Sequence, residues 1–106
     1  MLTIKVAATS SGDTIVIPGI ANKKILVLAY LITSSNNNMV KWKSGSTEIS
    51  GELHIPSSGN LVIHMGDLWP SGGLPALECG IGESLIINLQ DSHVVGGHIT
   101  YYYVGV

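Results

Sequence analysis

The sequence predicts an all-β domain, an antiparallel sandwich or barrel of about eight strands. Three observations carry that prediction. No stretch of the 106 residues spaces its apolar residues as an amphipathic helix would. Short β-prone runs instead alternate with clusters of Gly, Pro, Ser and Asn along the whole chain. Apolar residues make up 45% of the sequence and charged residues only 11%, against roughly 25% charged in an ordinary soluble domain.

Taken in order, Thr3 to Ala8 is a first strand, and Ser10-Ser11-Gly12-Asp13 turns the chain. Thr14 to Ile17 is a second, stopped at Pro18-Gly19, since proline cannot donate to a ladder. Asn22-Lys23 turns into the longest strand, Lys24 to Thr33, and Ser34 to Asn38 is a polar loop. Met39 to Lys43 and Thr47 to Ser50 flank the hairpin turn Ser44-Gly45-Ser46. Leu53 to Ile55 and Leu61 to Met65 are separated by Pro56-Ser57-Ser58-Gly59-Asn60, and Gly66 to Pro75 is loop. Leu77 to Gly80 is a short strand, Ser84 to Gln90 a longer one, and His98 to Val106 the last. No repeat, linker or low-complexity segment divides the chain, so residues 1 to 106 form one domain.

Two strands are apolar on both sides. In Lys24 to Thr33, strict alternation puts Ile25, Val27, Ala29 and Leu31 on one face and Leu26, Leu28, Tyr30 and Ile32 on the other. Both faces call for burial: one against the domain's own second sheet, the other against a loop or a second subunit. In the last strand Tyr101 and Tyr103 point one way and Tyr102 and Val104 the other. Tyrosine is rigid, amphipathic and enriched at interfaces, though a core strand whose hydroxyls reach water explains the same pattern. With so few charges to cover a solitary monomer, the composition favours an oligomer over a neutral Ser/Asn-rich surface.

The net charge is −2, with five Lys and Arg and no basic stripe, which argues against nucleic acid as a partner. The longest apolar run, Ile25 to Ile32, falls short of the roughly 18 residues of a membrane span. The amino-terminal Met1-Leu2-Thr3-Ile4-Lys5-Val6 is too short and polar for a signal peptide, which places synthesis in the cytoplasm. One cysteine, Cys79, excludes an internal disulfide.

Little in the sequence points to chemistry. The four histidines, His54, His64, His93 and His98, include no His-x-His pair, the spacing that puts two ligands on one face of a strand. They read as turn and edge residues, and no metal or cofactor is expected. Cys79, between Glu78 and Gly80, reads as a small buried hydrophobe and not a nucleophile. The carboxylates lie in or beside turns with no pair spaced for acid–base work. Gly80-Ile81-Gly82-Glu83 has no helix after it to present amides to a phosphate. Trp42, between Lys41 and Lys43, faces the core by alternation. Trp69 is a ligand platform, an interface anchor or a lid on the core. The expectation is a non-enzymatic protein with Trp69, Tyr30, Tyr101, Tyr102 and Tyr103 as interface candidates.

From Lys41-Trp42-Lys43-Ser44-Gly45-Ser46-Thr47-Glu48-Ile49-Ser50-Gly51 the chain resembles small virion proteins of tailed bacteriophages and prophages. The likeness continues in Ser11-Gly12-Asp13, in Lys23-Lys24-Ile25-Leu26-Val27, and in Trp69 ahead of Gly82-Glu83-Ser84-Leu85. It closes with Val95-Gly96-Gly97-His98-Ile99-Thr100-Tyr101, so it spans most of the chain in order. It departs from that pattern at Pro70-Ser71-Gly72-Gly73-Leu74-Pro75. The resemblance implies a virion location, with head decoration (cement) proteins the best fit and a tail or fibre component second. It implies a jelly-roll-like β-sandwich, assembly as a homotrimer, and the major capsid protein as partner. Two other functions stay open: a tail or receptor-binding module contacting host glycan through Trp69, and a small metal-dependent β-barrel using the histidines.

Overall fold

In β3 (Lys23–Ser34) the chain's apolar content is densest, and the rest of the fold is arranged around it. The computed structural model describes residues 2–55, the backbone of 62–65, and residues 76–105. Every described element is a strand or a connection between strands. The first sheet is built from β1 (Leu2–Ala8), β10 (Val95–Gly105) and β3, in that order. Its far edge is shared by β7 (Val62–Met65) and β8 (Leu77–Glu78), both antiparallel to β3. The second sheet runs β2 (Gly12–Ile17), β9 (Leu85–Leu89), β4 (Asn38–Ser44). Its far edge is shared by β5 (Thr47–Glu48) and β6 (Leu53–Ile55).

β7 and β8 follow one another along β3, and β5 and β6 along β4, so ten segments act as eight strands. The order 1-10-3-7/8 over 2-9-4-5/6 is that of a jelly roll. The protein is therefore an all-β, jelly-roll-like antiparallel sandwich, as the sequence predicts.

Alternating side chains from both sheets fill the space between them. Trp42, Ile17, Leu85, Ile87, Ile25, Val27, Ile32 and Ile99 are all buried there. The Tyr30 ring meets Trp42 edge-on, with centroids 5.1 Å apart at 62°, a geometry that adds to the area both rings bury. The indole N–H of Trp42 is buried without a hydrogen-bond partner.

Three local features differ from the sequence reading. The first is a bulge: Thr100 pairs with Ala29 and Tyr101 with Val27, leaving Leu28 extra in β3. A bulge sets two residues against one, so Leu28 and Ala29 both fall outside while Tyr30 and Ile32 turn in. The inner face is thus Ile25, Val27, Tyr30 and Ile32, and Ala29 and Leu31 are not part of it. The second is the start of β10, which begins at Val95 and runs through Gly96-Gly97, three residues ahead of the His98 start read from the sequence. Gly97 has φ +142°, and a Cβ there would collide with the Leu31 carbonyl oxygen, so only glycine lets the strands meet. The third follows from the second: His98 sits in an interior strand, opposite Lys5 and Leu31, and not in a turn or at an edge.

Candidate interaction surfaces

The two sheets turn very different outer faces to their surroundings. On the first, the apolar residues of β3 and β10 that point away from the core are Leu26, Leu28, Ala29, Leu31, Tyr102 and Val104, all half-buried, and Lys24, Thr33, His98 and Thr100 share their face. Tyr102 lies opposite Leu26, and His98 opposite Leu31. At one end Lys24 bridges Glu78 at 2.5 Å; at the other Lys5 and His98 face outward. On the second sheet the corresponding positions hold charged side chains in pairs, next to the apolar Ile15, Ile86 and Met39. Lys43 bridges Asp13 at 2.9 Å, Asn88 donates to the other Asp13 oxygen at 2.7 Å, and Lys41 bridges Glu48 at 2.5 Å. The Asn88 amide and the Lys43 ammonium hold the Asp13 carboxyl below its ordinary value. Lys41 lowers Glu48 and is itself raised by it. These are satisfied surface pairs.

One end of the sandwich is clasped by residues far apart in sequence. The Ser44 hydroxyl donates to Glu83 Oε1 at 2.6 Å and accepts from the Gly80 amide at 2.9 Å. Gly19 N–H donates to Ser84 Oγ at 2.8 Å, Gly82 N–H to the Lys23 carbonyl at 2.7 Å, and the Tyr103 hydroxyl to the Pro18 carbonyl at 2.8 Å. Cys79 lies against this clasp, buried. Its thiol is pushed up to about 11, mainly by burial, with the Ser44 hydroxyl opposing the rise. At neutral pH it is a thiol and not a thiolate, so it lacks the form that attacks carbon or binds metal.

At the opposite end Asn38 serves as a latch. Its amide donates to the Asp91 and His93 carbonyls at 3.0 and 3.3 Å and accepts from the Met39 and Asp91 amides at 2.9 and 3.0 Å. Beside it lies a shallow depression of about 390 Å³ lined by Met39, Lys41, Glu52 and Gln90. A second, of about 490 Å³, is lined by Asn37, Asn38, His54 and Ile55. Among the described residues that line these depressions there is no Trp, Tyr or Phe. Among the described residues no three His, Cys, Asp or Glu side chains come together to hold a metal ion.

The five interface candidates separate. Tyr30 and Tyr101 are core residues, 4% and 8% exposed. Burial raises the Tyr30 hydroxyl, and the Trp42 indole opposes part of that rise without reaching hydrogen-bond geometry. Tyr103 packs edge-on against Tyr101 at 5.8 Å and spends its hydroxyl on Pro18. Tyr102 points outward from the first sheet. Trp69 lies outside the described residues. The alternation of the last strand places Tyr101 and Tyr103 inward and Tyr102 and Val104 outward, as expected.

Sequence reasoning missed the exposed isoleucines Ile15, Ile20 and Ile81, at 62%, 42% and 60%. Two of them stand in turns that punctuation residues, Pro18-Gly19 and Gly80-x-Gly82, make look merely connective. No protein-family model matches the chain, and no curated protein or solved structure matches it.

Proposed function

We propose that the protein is a tailed-phage head decoration protein that binds the outer surface of the assembled capsid as a trimer and stabilises it. The observation that carries this reading is the contrast between the two outer faces. In a chain with 11% charged residues, two of the three ion pairs among the described residues lie on the second sheet, while Leu26, Leu31, Tyr102 and Val104 stand on the first beside the single pair Lys24–Glu78. An apolar sheet face of this kind is suited to protein contact, and the paired face to solvent. The resemblance to small virion proteins supplies the setting and the partner, the major capsid protein. A trimer seated where capsomers meet touches several subunits at once, and multivalency turns weak contacts into firm holding. Such contacts oppose the outward pressure of packaged DNA, and nothing in this role calls for catalysis.

Decoration acts on a finished shell, which defines the experiment. Particles made without this protein should assemble and package DNA, yet release it at lower temperature or under milder osmotic shock. Purified protein added back should restore resistance and saturate at a fixed copy number. Depleted particles that are fully robust but fail to attach to cells would reject this role in favour of a tail or receptor-binding module.

A further inference from the structure

The outer face of the second sheet is not finished from end to end. Near the Asn38 latch it carries a row of three side chains from three neighbouring segments. His54 of β6 lies directly opposite Met39 of β4. Gln90 follows β9 on the other side, and its backbone N–H donates to the Met39 carbonyl at 2.9 Å. Two residues along β4, on the same face, stands Lys41. Glu52, just ahead of β6, completes the group: with Met39, Lys41 and Gln90 it walls the depression of about 390 Å³. A smaller hollow of about 170 Å³ touches Met39, His54 and Gln90 and leads toward the depression of about 490 Å³ beside His54 and Ile55. The three adjoin as one shallow trough.

Polar side chains elsewhere on this face are spent on each other, as Asp13 is on Asn88 and Lys43. Those of the trough are not. Among the described residues the His54 imidazole, the Gln90 amide and the Glu52 carboxylate have no hydrogen-bond partner. Lys41 spends one of its three N–H donors on Glu48. Its ammonium is raised first by Glu48, and the Glu52 charge adds to the rise. Unspent donors and acceptors thus converge on one concavity around the thioether of Met39.

We infer that this trough binds a sugar, a neutral, hydroxyl-rich ring of a glycan. Glu52 can only accept, Lys41 can only donate, and Gln90 and neutral His54 do both. A hydroxyl gives one hydrogen bond and takes others, so neighbouring hydroxyls on one ring satisfy all of these groups together. Met39 offers an adaptable apolar contact to the C–H side of the ring. Other ligand classes fit less well. An anion would meet the Glu52 charge and an organic cation the Lys41 charge. Among the described residues no three His, Cys, Asp or Glu side chains gather to hold a metal ion. An apolar ligand would strip water from three polar groups and give nothing back. The trough is open, so a single ring should bind weakly, on the order of 1–10 mM, and many copies on one particle would raise the avidity. Decoration leaves this face to solvent, so the site stands or falls independently of that role.

The test is titration of the isotope-labelled chain with a panel of neutral hexoses, deoxyhexoses and N-acetylhexosamines, followed by amide chemical shifts. Inorganic phosphate serves as the charged probe. At least one sugar should shift the amides of Met39, Lys41, His54 and Gln90 saturably, and phosphate should not. Gln90→Ala and Glu52→Gln should each weaken that binding about five-fold or more, with near-ultraviolet dichroism of Trp42 showing that both are folded. Ile15→Ser, on the same face but outside the trough, should bind as wild type does. A panel in which no sugar shifts these amides would overturn the inference, as would shifts that map elsewhere or trough variants that bind undiminished. Saturable binding of phosphate in place of sugar would overturn it in favour of an anion site. Each of those results would leave the protection of depleted particles, and with it the decoration role, untouched.

Discussion

The two outer faces of this sandwich are built on the same backbone plan and end in opposite chemistry. On the second sheet, Asn88 and Lys43 both hold Asp13, and Lys41 holds Glu48, at distances between 2.5 and 2.9 Å. Each of those groups has its partner already and gains nothing from another protein. On the first sheet the equivalent positions hold Leu26, Leu28, Leu31, Tyr102 and Val104, which hydrogen-bond to nothing through aliphatic carbon and lose water only by being covered. The lesson is that low overall charge is not spread evenly. More of the charge pairs fall on the second face, and more of the half-buried apolar side chains on the first.

The largest effect is expected where the first sheet has no slack between its inside and its outside. Gly97 occupies positive φ and sits against the Leu31 carbonyl. Gly97→Ala should therefore cost about 3 kcal/mol or more, combining backbone strain with a steric clash. Urea unfolding followed at Trp42 checks this. A variant as stable as wild type would mean that β10 and β3 do not meet as closely as described, and the outer face they share would have to be redrawn.

A smaller effect should come from the bulge that shapes that face. Leu28 has no partner in β10. Removing it leaves Val27 inward, Ala29 outward and Tyr30 inward, which is ordinary alternation. The Leu28 deletion should therefore fold, with a loss on the order of 1–2 kcal/mol from altered strand packing. If β3 alternated regularly from Val27, the same deletion would turn Ala29 and Leu31 from core to solvent and drive Tyr30 and Ile32 inward, and the chain would not fold. Near-ultraviolet dichroism of the Tyr30–Trp42 pair distinguishes the two results.

Leu28 also marks the limit of what the sequence shows. The positions of the strands were legible because turn residues bracket them, and the separation of Tyr102 and Val104 from Tyr101 and Tyr103 was legible because period 2 holds through that strand. The bulge was not, since Leu28 and Ala29 carry no glycine or proline to announce it. Strict alternation therefore assigned Ala29 and Leu31 to the wrong face. Gly96-Gly97 misled in the other direction: two glycines weaken a strand pattern, so the last strand reads from His98, whereas Gly97 is required by a close approach inside that strand. The clasp was invisible for a different reason. Ser44 meets residues 36 and 39 positions away, and no local pattern encodes that contact. Ile20 and Ile81 were in plain view but sat in segments read only as connections, and Ile15 sat in a strand whose outward face was not asked about.

The smallest expected effect belongs to the finished face, and its smallness is the point. The Asp13 carboxyl is held below its ordinary value of 3.8, first by the Asn88 amide and next by Lys43. A carboxylate depressed in the folded state contributes stability that is present above about pH 4 and is lost as pH falls through the folded value. Asp13→Asn removes that contribution at neutral pH and changes nothing once the wild-type carboxyl is protonated. The wild type should therefore melt slightly above Asp13→Asn at pH 6, and the two should coincide near pH 2. Added salt at about 0.5 M should shrink the difference at pH 6, because the group is exposed and its partners are screened within a Debye length. The variant should also keep the wild-type mass in solution, since this face is assigned to water. A change in mass on Asp13→Asn would place the ion-paired sheet in the subunit contact, and the division of labour between the two faces would be reversed.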